Sequence, residues 1–314
     1  MFSPRSYQAI LLIAFGGPTC PEEIRPFLER TTRGIPIPAE RLEEVAHHYE
    51  ALGGKSPLND ITFRQAQALR TLLKETGADL PVYVGLRNSS PFFLETLRRM
   101  ASDGVQRALG LILSSHRTEA SWGRYQQNVS AARAEIGNAP EVDYCDGWYN
   151  HPLFIQTWTE SIEAASKTID AGIRAMTPLI FSAHSLPISM AAHSPYVEQL
   201  QTSAQMIAEK LQRTRWFLAY QSRSGRPDDP WLEPDISTTI RDCAAQGNRT
   251  LLVAPIGFVC DHVEVLYDLD VEARKLAASL GVELTRAKCP NDRPTFIRMM
   301  AAVIEQKMQQ VGRG

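Results

Sequence analysis

The chain has 314 residues, 44% of them hydrophobic and 22% charged, a composition that excludes collagen-like, low-complexity and wholly disordered chains. Its 33 basic and 35 acidic side chains leave a formal net charge of −2, so nucleic-acid binding driven by counterion release is not expected. Five cysteines, at positions 20, 145, 243, 260 and 289, form no CxxC pair and no short Cys/His cluster. They exclude a disulfide framework and a zinc module and fit a reducing cytosol.

From the amino terminus, Arg5 precedes a short apolar stretch that ends in Gly16-Gly17-Pro18 and runs into Glu22-Glu23. Without a small-x-small cleavage pattern this reads as an opening strand, not a leader. No uninterrupted apolar run approaches the roughly 18 residues of a membrane-spanning helix, so the expectation is a cytoplasmic protein with no transmembrane segment. Short β-rich runs follow at 8–15, 81–85, 106–114 and 141–145, and a second series at 177–183, 216–221, 249–258 and 282–287. Helical patterns separate them. One at 60–75 carries Phe63, Ala66, Ala68, Leu69 and Leu72 as an apolar stripe, with Gly77 as its stop.

Strands alternating with crossover helices imply parallel sheets covered on both faces. The expected fold is α/β, with two Rossmann-like doubly wound domains of four strands each. Their boundary is expected in the turn-rich segment Gly147-Trp148-Tyr149-Asn150-His151-Pro152, giving domains 1–150 and 151–314. The last helix, 293–308, can pack on either one.

Ligands of open α/β sheets bind beyond the carboxyl ends of the strands, so the segments leaving each strand are the places to look. Four are unusual: Ala14-Phe15-Gly16-Gly17-Pro18, Gly85-Leu86-Arg87-Asn88, Ser182-Ala183-His184-Ser185-Leu186-Pro187, and Gly257 to Glu264. His184 stands where a buried run ends and Pro187 prevents a continued ladder; a plain loop histidine and a functional imidazole both fit. Ser182 and Ser185 flank it, but without a GxSxG elbow nucleophilic serine chemistry is not favoured. Asp261, Glu264, Asp268 and Glu272 fall on one stripe of an expected helix, beside an apolar stripe of Leu266, Leu269, Ala273, Leu276 and Leu280. Helix capping explains the first two carboxylates, and a path for a divalent cation explains all four. Arg30, Arg33, His48, Tyr49 and Ser56, with Arg124 and Tyr125 further on, are donors suited to carboxylates. Gly53-Gly54 before Lys55-Ser56-Pro57 is a turn with too few glycines for a phosphate loop, and no GxGxxG fingerprint is present, which disfavours nucleotides.

In order along the chain, LLIAFGGP, HHYEALGGKSPLN, GLRN, FSAHSLP, QSRSGRPDDPWLEPD and GFVCDHVEVLYDLDVE resemble the ferrochelatase family over nearly the whole length. The resemblance implies two Rossmann-like halves with a porphyrin cleft between them and insertion of Fe²⁺ into a porphyrin in haem biosynthesis. It places the family's metal-handling histidine on His184 and its partner carboxylate on Glu264, with Asp268 and Glu272 as an outer ion path. Phe15 stands where one branch carries a tyrosine that ligates iron. The style of AFGGP, RTTRG and QSRSGRPDDPWLEPD is similar to coproporphyrin III enzymes of actinobacterial type, with Ser56 and Tyr125 at propionate-binding positions assisted by Arg33, Tyr49 and Arg124. A protoporphyrin IX enzyme is the alternative; a chelatase for another metal and a non-catalytic tetrapyrrole or metal binder are the remoter ones. The resemblance implies no cofactor beyond substrate Fe²⁺ and no [2Fe–2S] cluster, since the cysteines form no close group. Haem-pathway enzymes are the expected protein partners.

Overall fold

A computed structural model describes residues 7–34, 37–223 and 229–312, with side chains to 310. Part of the QSRSGRPDDPWLEPD block, 224–228, lies outside the described residues. All eight expected runs are strands. β1 (Ala9–Ala14), β2 (Val82–Leu86), β3 (Arg107–Ile112) and β4 (Glu141–Tyr144) form one parallel sheet in the order β2-β1-β3-β4. β5 (Leu179–His184), β6 (Trp216–Gln221), β7 (Thr250–Ala254) and β8 (Glu283–Arg286) repeat that order as β6-β5-β7-β8. Every residue of β1, AILLIA, is buried, as a parallel strand with helices on both faces requires. The run 249–258 stops being a strand at Ala254, because Pro255 has no N–H for the ladder.

The first crossover contains α1 (Ile24–Thr31), α2 (Ala39–Ala51) and α3 (Leu58–Glu75), and the next α4 (Phe93–Ser102). A π-helical segment, Glu119–Gly123, leads into α5 (Arg124–Ala134), and α6 (Pro152–Ser166) begins the second half. There α7 (Ile188–Ala191), α8 (Tyr196–Lys210) and α9 (Ile236–Ala245) precede one turn, α10 (Val263–Val265). That turn runs into a second π-helical segment, Leu266–Ala273, then α11 (Arg274–Ser279) and finally α12 (Pro294–Gly312).

Two expected faces are corrected. On α3, Phe63 is 44% exposed, and Thr62 and Gln65 are buried beside Ala66, Leu69 and Leu73. Both polar side chains have partners inside: the Thr62 hydroxyl donates to the Leu58 carbonyl (2.8 Å), and Gln65 Nε2 to the Asn291 carbonyl (2.7 Å). A count of apolar residues misses such buried polar positions, whose donor groups are bonded inside. Beyond α10, Leu269 and Ala273 are buried as expected, but Leu280 is 37% exposed, since the π-helical turns rotate the later positions off the stripe.

One apolar core runs through both halves, from Leu12 and Leu69 through Trp148 and Phe154 to Leu200 and Leu252. The turn-rich connector is packed into it: the Trp148 ring meets Phe154 edge-on at 5.1 Å and Phe296 of α12 at 5.9 Å. α12 packs on α3 of the first half and on α6 of the second, so the last helix clamps both.

Candidate active site

In each sheet the winding reverses beside the first-formed strand, between β1 and β3 and again between β5 and β7. Such switch points open a crevice at the carboxyl ends of the strands. Here the two crevices share a cavity of about 300 Å³, walled by the segments that leave β1, β3, β5 and β7. Phe15, Tyr49, Ser56, Tyr125, His184 and Glu264 all line it.

His184 ends β5, with its backbone in register against Gln221 of β6. Its Nδ1 is bonded to the Ser185 carbonyl, which only accepts, so Nδ1 carries the proton and the lone pair sits on Nε2. The Tyr196 hydroxyl donates to the His184 carbonyl (3.0 Å) and fixes the backbone there. Nε2 then stands 3.9 Å from Glu264 Oε2, with both side chains partly open to the cavity. Gly257 makes this closeness possible: a Cβ there would come within 2.6 Å of Ala183 Cβ and 2.8 Å of its Cα. Ser182 and Ser185 are not free hydroxyls, since they donate to Gln221 Oε1 (2.8 Å) and the Leu232 carbonyl (3.0 Å).

The acidic stripe is only partly realised. Asp261 lies ahead of the helix and turns inward, where Arg286 Nη1 (2.8 Å) and Asn291 Nδ2 (2.7 Å) donate to its carboxylate. Arg286 also holds Asp270 at 2.8 Å, so this cation ties the approach loop and the π-helical segment to β8. Its attraction, with the Asn291 bond, holds Asp261 below the ordinary carboxylate range against the opposing effect of burial. Glu264, Asp268 and Glu272 follow every fourth residue, near the wider turn of a π-helix. Asp268 does not line the cavity; it accepts bonds from Ser222 and Gln221. Burial, helped by the Glu264 and Glu272 charges, pushes it up to about 7. Glu272 is further out, raised first by burial and then by Glu44 of α2.

On the first-half wall, Gly17 is bound on both sides by Asn59, which accepts from its N–H (2.9 Å) and donates to its carbonyl (3.0 Å). A Cβ on Gly17 would lie 2.8 Å from Ser56 Cβ, so this glycine lets Ser56 reach the cavity. Phe15 is 38% exposed there and meets Phe27 edge-on at 6.1 Å; Phe27 in turn meets Tyr49 at 5.8 Å. Val263 joins the cluster formed by α1 and α2, and the His48 ring stacks on Tyr267 at 3.7 Å. The two halves therefore touch through these residues. Arg33, expected at the site, is exposed and does not line the cavity, and Arg124 is half-buried just outside it.

Three further residues escape the reading of the sequence. His116, His262 and Tyr196 line the cavity. Ser203 donates to the Tyr149 carbonyl (2.7 Å), which leaves its oxygen to accept from His116 Nε2 (3.0 Å). Burial pushes His116 down to about 3, so it is a neutral wall residue. The signal for it was the segment leaving β3, the partner of β1 at the first switch point. His262 stood inside a quoted block but drew no role. In the chain Tyr196 is well past the end of β5, and nothing in its sequence surroundings marks it.

Two parallel-sheet halves thus present an imidazole and a carboxylate to a common crevice. The fold is that of solved chelatases. Sirohydrochlorin chelatase SirB from Bacillus subtilis subspecies spizizenii superposes with a TM-score of 0.57 at 10% identity, covering 96% of each chain. CbiX, described as the terminal enzyme for biosynthesis of sirohaem in denitrifying bacteria, superposes at 0.56 with 14% identity, covering 95% of this chain and 98% of its own. In sequence, the ferrochelatase family profile matches residues 7–308. A ferrochelatase of Rhodopirellula baltica is 39% identical over 304 residues, 96% of this chain and 86% of the relative. Coproporphyrin III ferrochelatases are similarly close: that of Mycolicibacterium smegmatis is 37% identical, covering 96% of this chain and 90% of the relative, and that of Nocardia farcinica 39%, covering 96% and 88%. The chain belongs to the ferrochelatase family and is an enzyme of haem biosynthesis that inserts metal into a porphyrin. No helix among the described residues is long and apolar enough to cross a membrane.

Proposed function

We propose that this enzyme inserts Fe²⁺ into coproporphyrin III, with His184 as proton acceptor and first metal ligand and Glu264 as its partner. The observation that carries the roles is the His184 tautomer: its basic Nε2 faces the cavity 3.9 Å from the Glu264 carboxylate. Metalation releases two pyrrole N–H protons while a hydrated dication sheds water. The reaction therefore needs a base and an oxygen donor on the same side of the ring. A neutral imidazole and a carboxylate supply both. Asp268 and Glu272 extend the carboxylate line outward as the approach of the ion.

The choice of ring is supported by the relatives named coproporphyrin III ferrochelatases and by Ser56 and Tyr125, hydroxyl donors at the cavity wall. Phe15 offers a flat apolar surface where a macrocycle stacks and supplies no ligand to its metal. The proposal needs no resident cofactor and no iron–sulfur cluster, since iron is the substrate, and it places the reaction in the cytoplasm. The test is anaerobic Fe²⁺ insertion with coproporphyrin III and protoporphyrin IX in parallel. A kcat/KM at least about tenfold higher for the four-propionate ring is expected, each charge-assisted hydrogen bond to an extra carboxylate being strong enough for that. The opposite preference would leave the metal-insertion roles intact and assign protoporphyrin IX as substrate.

A further inference from the structure

The segment from Asp261 to Glu272 carries five carboxylates, Asp261, Glu264, Asp268, Asp270 and Glu272, and one buried cation sorts them. Arg286 ends β8, in register with Val253 of β7, and the N–H of the next residue, Ala287, donates to the Val253 carbonyl (2.8 Å), so its backbone is fixed to the second sheet. Its side chain is only 8% exposed. Nε and Nη2 donate to the two oxygens of Asp270 at 2.9 and 2.8 Å, and Nη1 donates to Asp261 Oδ1 at 2.8 Å. Asp261 is held from a second side by Asn291, which donates through Nδ2 to Oδ2 (2.7 Å) and accepts from the Asp261 N–H (2.8 Å). The Asn291 carbonyl in turn accepts from Gln65 of α3 (2.7 Å), and Arg64 of the same helix pairs with Asp292 (2.7 Å), so the first half holds this turn too. Neither Asp261 nor Asp270 lines the cavity. Glu264 does, yet no donor among the described residues bonds its carboxylate, and its partner His184 Nε2 stands 3.9 Å away. Its place is set by its backbone.

A buried ion triad of this kind adds little net stability, because desolvating three charges offsets most of their attraction. What a bidentate fork supplies is geometry, since its planar donors accept a narrow range of carboxylate positions. We infer that Arg286 is a positioning residue for metal insertion: it grips Asp261 ahead of Glu264 and Asp270 beyond it, and so fixes the Glu264 carboxylate against His184 Nε2. The same grip neutralises the two carboxylates that do not line the cavity, which leaves Glu264, Asp268 and Glu272 to meet the cation. A carboxylate ligand oriented by groups outside its own contacts keeps the position that a dication requires. The inference rests on the reading of Glu264 as the metal partner and adds what holds it there.

The test is anaerobic Fe²⁺ insertion by the purified full-length enzyme, with iron varied at saturating porphyrin. Asp270→Asn keeps the shape and removes the charge, and Arg286→Lys keeps the charge without the fork. Each should raise the iron KM by about tenfold or more, the usual cost of losing a group that orients a metal ligand. Porphyrin Kd, read by fluorescence quenching, should not change. Arg274→Ala, which removes only the exposed partner of Asp270, should leave both constants as they are. Added to Glu264→Gln, Asp270→Asn should raise the iron KM no further, because groups that act through one another are not additive. A role confined to stability would lower Tm and the active fraction at an unmoved iron KM, and that result overturns the inference. So would a full additional loss in the double variant, or a KM raised by Arg274→Ala. If Arg286→Lys does not fold, Asp270→Asn and the double variant decide alone. An iron KM unmoved by Glu264→Gln would refute the reading of Glu264 and this inference with it, whereas a KM raised by Glu264→Gln but not by Asp270→Asn refutes the inference only.

Discussion

His184 and Glu264 owe their arrangement to very local chemistry. The backbone carbonyl of Ser185 selects the imidazole tautomer, and the Tyr196 hydroxyl holds the His184 carbonyl. Replacing His184 with Ala should lower kcat by at least about 10²-fold, the usual contribution of a positioned base, with porphyrin affinity within twofold of wild type. Normal turnover of that variant in a stopped-flow insertion assay would dismiss His184 as the base. Glu264→Gln keeps the shape and removes the charge, so the loss should fall on metal: an iron KM raised about tenfold or more, with the circular dichroism spectrum of the folded protein intact. The same scale explains why the arginines were read unevenly. Arg33 and Arg124 are equal candidates in the sequence because a guanidinium carries no mark of its burial; only the fold shows Arg33 exposed and Arg124 half-buried.

At the scale of elements, α10 and the π-helical segment Leu266–Ala273 together bring Glu264, Asp268 and Glu272 into line at a four-residue spacing, and burying Asp268 among them has a measurable consequence. Its folded pKa, about 7, lies above the ordinary carboxylate value. Between roughly pH 4 and 7 the folded state therefore holds a proton that the unfolded chain has released, so stability falls as pH rises through this window. Asp268→Asn should abolish that slope and make the protein more resistant to urea at pH 8 than wild type. Parallel stability–pH curves for the two proteins would show that Asp268 is not held protonated. A second consequence concerns the loop after β7: Gly257→Ala forces a methyl against Ala183 and should cost about 1–3 kcal/mol in unfolding free energy, as overpacking does. It should also depress insertion, because the displaced loop carries Glu264. Element type was legible here, but not its detail. A four-residue carboxylate spacing reads as an α-helical stripe, and nothing local announces the extra residue per turn or the inward turn of Asp261 toward Arg286.

At the scale of the whole molecule, the two halves repeat one strand order and meet through a shared core, through α12 and through the contact of α2 with the π-helical segment. The stacked pair His48 and Tyr267 joins α2 of the first half to the second. Tyr267→Ala should remove about 0.5–1.5 kcal/mol of aromatic stacking beyond its burial, read as a lower urea midpoint. It should also speed porphyrin dissociation by loosening the contact between the halves that wall the cavity. An unchanged off-rate would mean that this contact does not gate the cavity.

The sequence by itself determined the eight strands, the doubled parallel architecture and the strand-end position of His184, because β-rich runs bounded by turns and spaced by crossover helices admit few other folds. It also carried the family, since six ordered blocks keep their identity whatever the tertiary detail. Only the tertiary structure decided which donors share the cavity. Ser56, Tyr125, His184 and Glu264 come from four separate segments, and their meeting depends on two switch points facing each other across a common core. It also decided the polar interior of α3, the buried role of Asp261 and the neutral His116. Each of these follows from burial and partnering between residues distant in the chain, and such long-range contacts leave no periodic trace in the order of the amino acids.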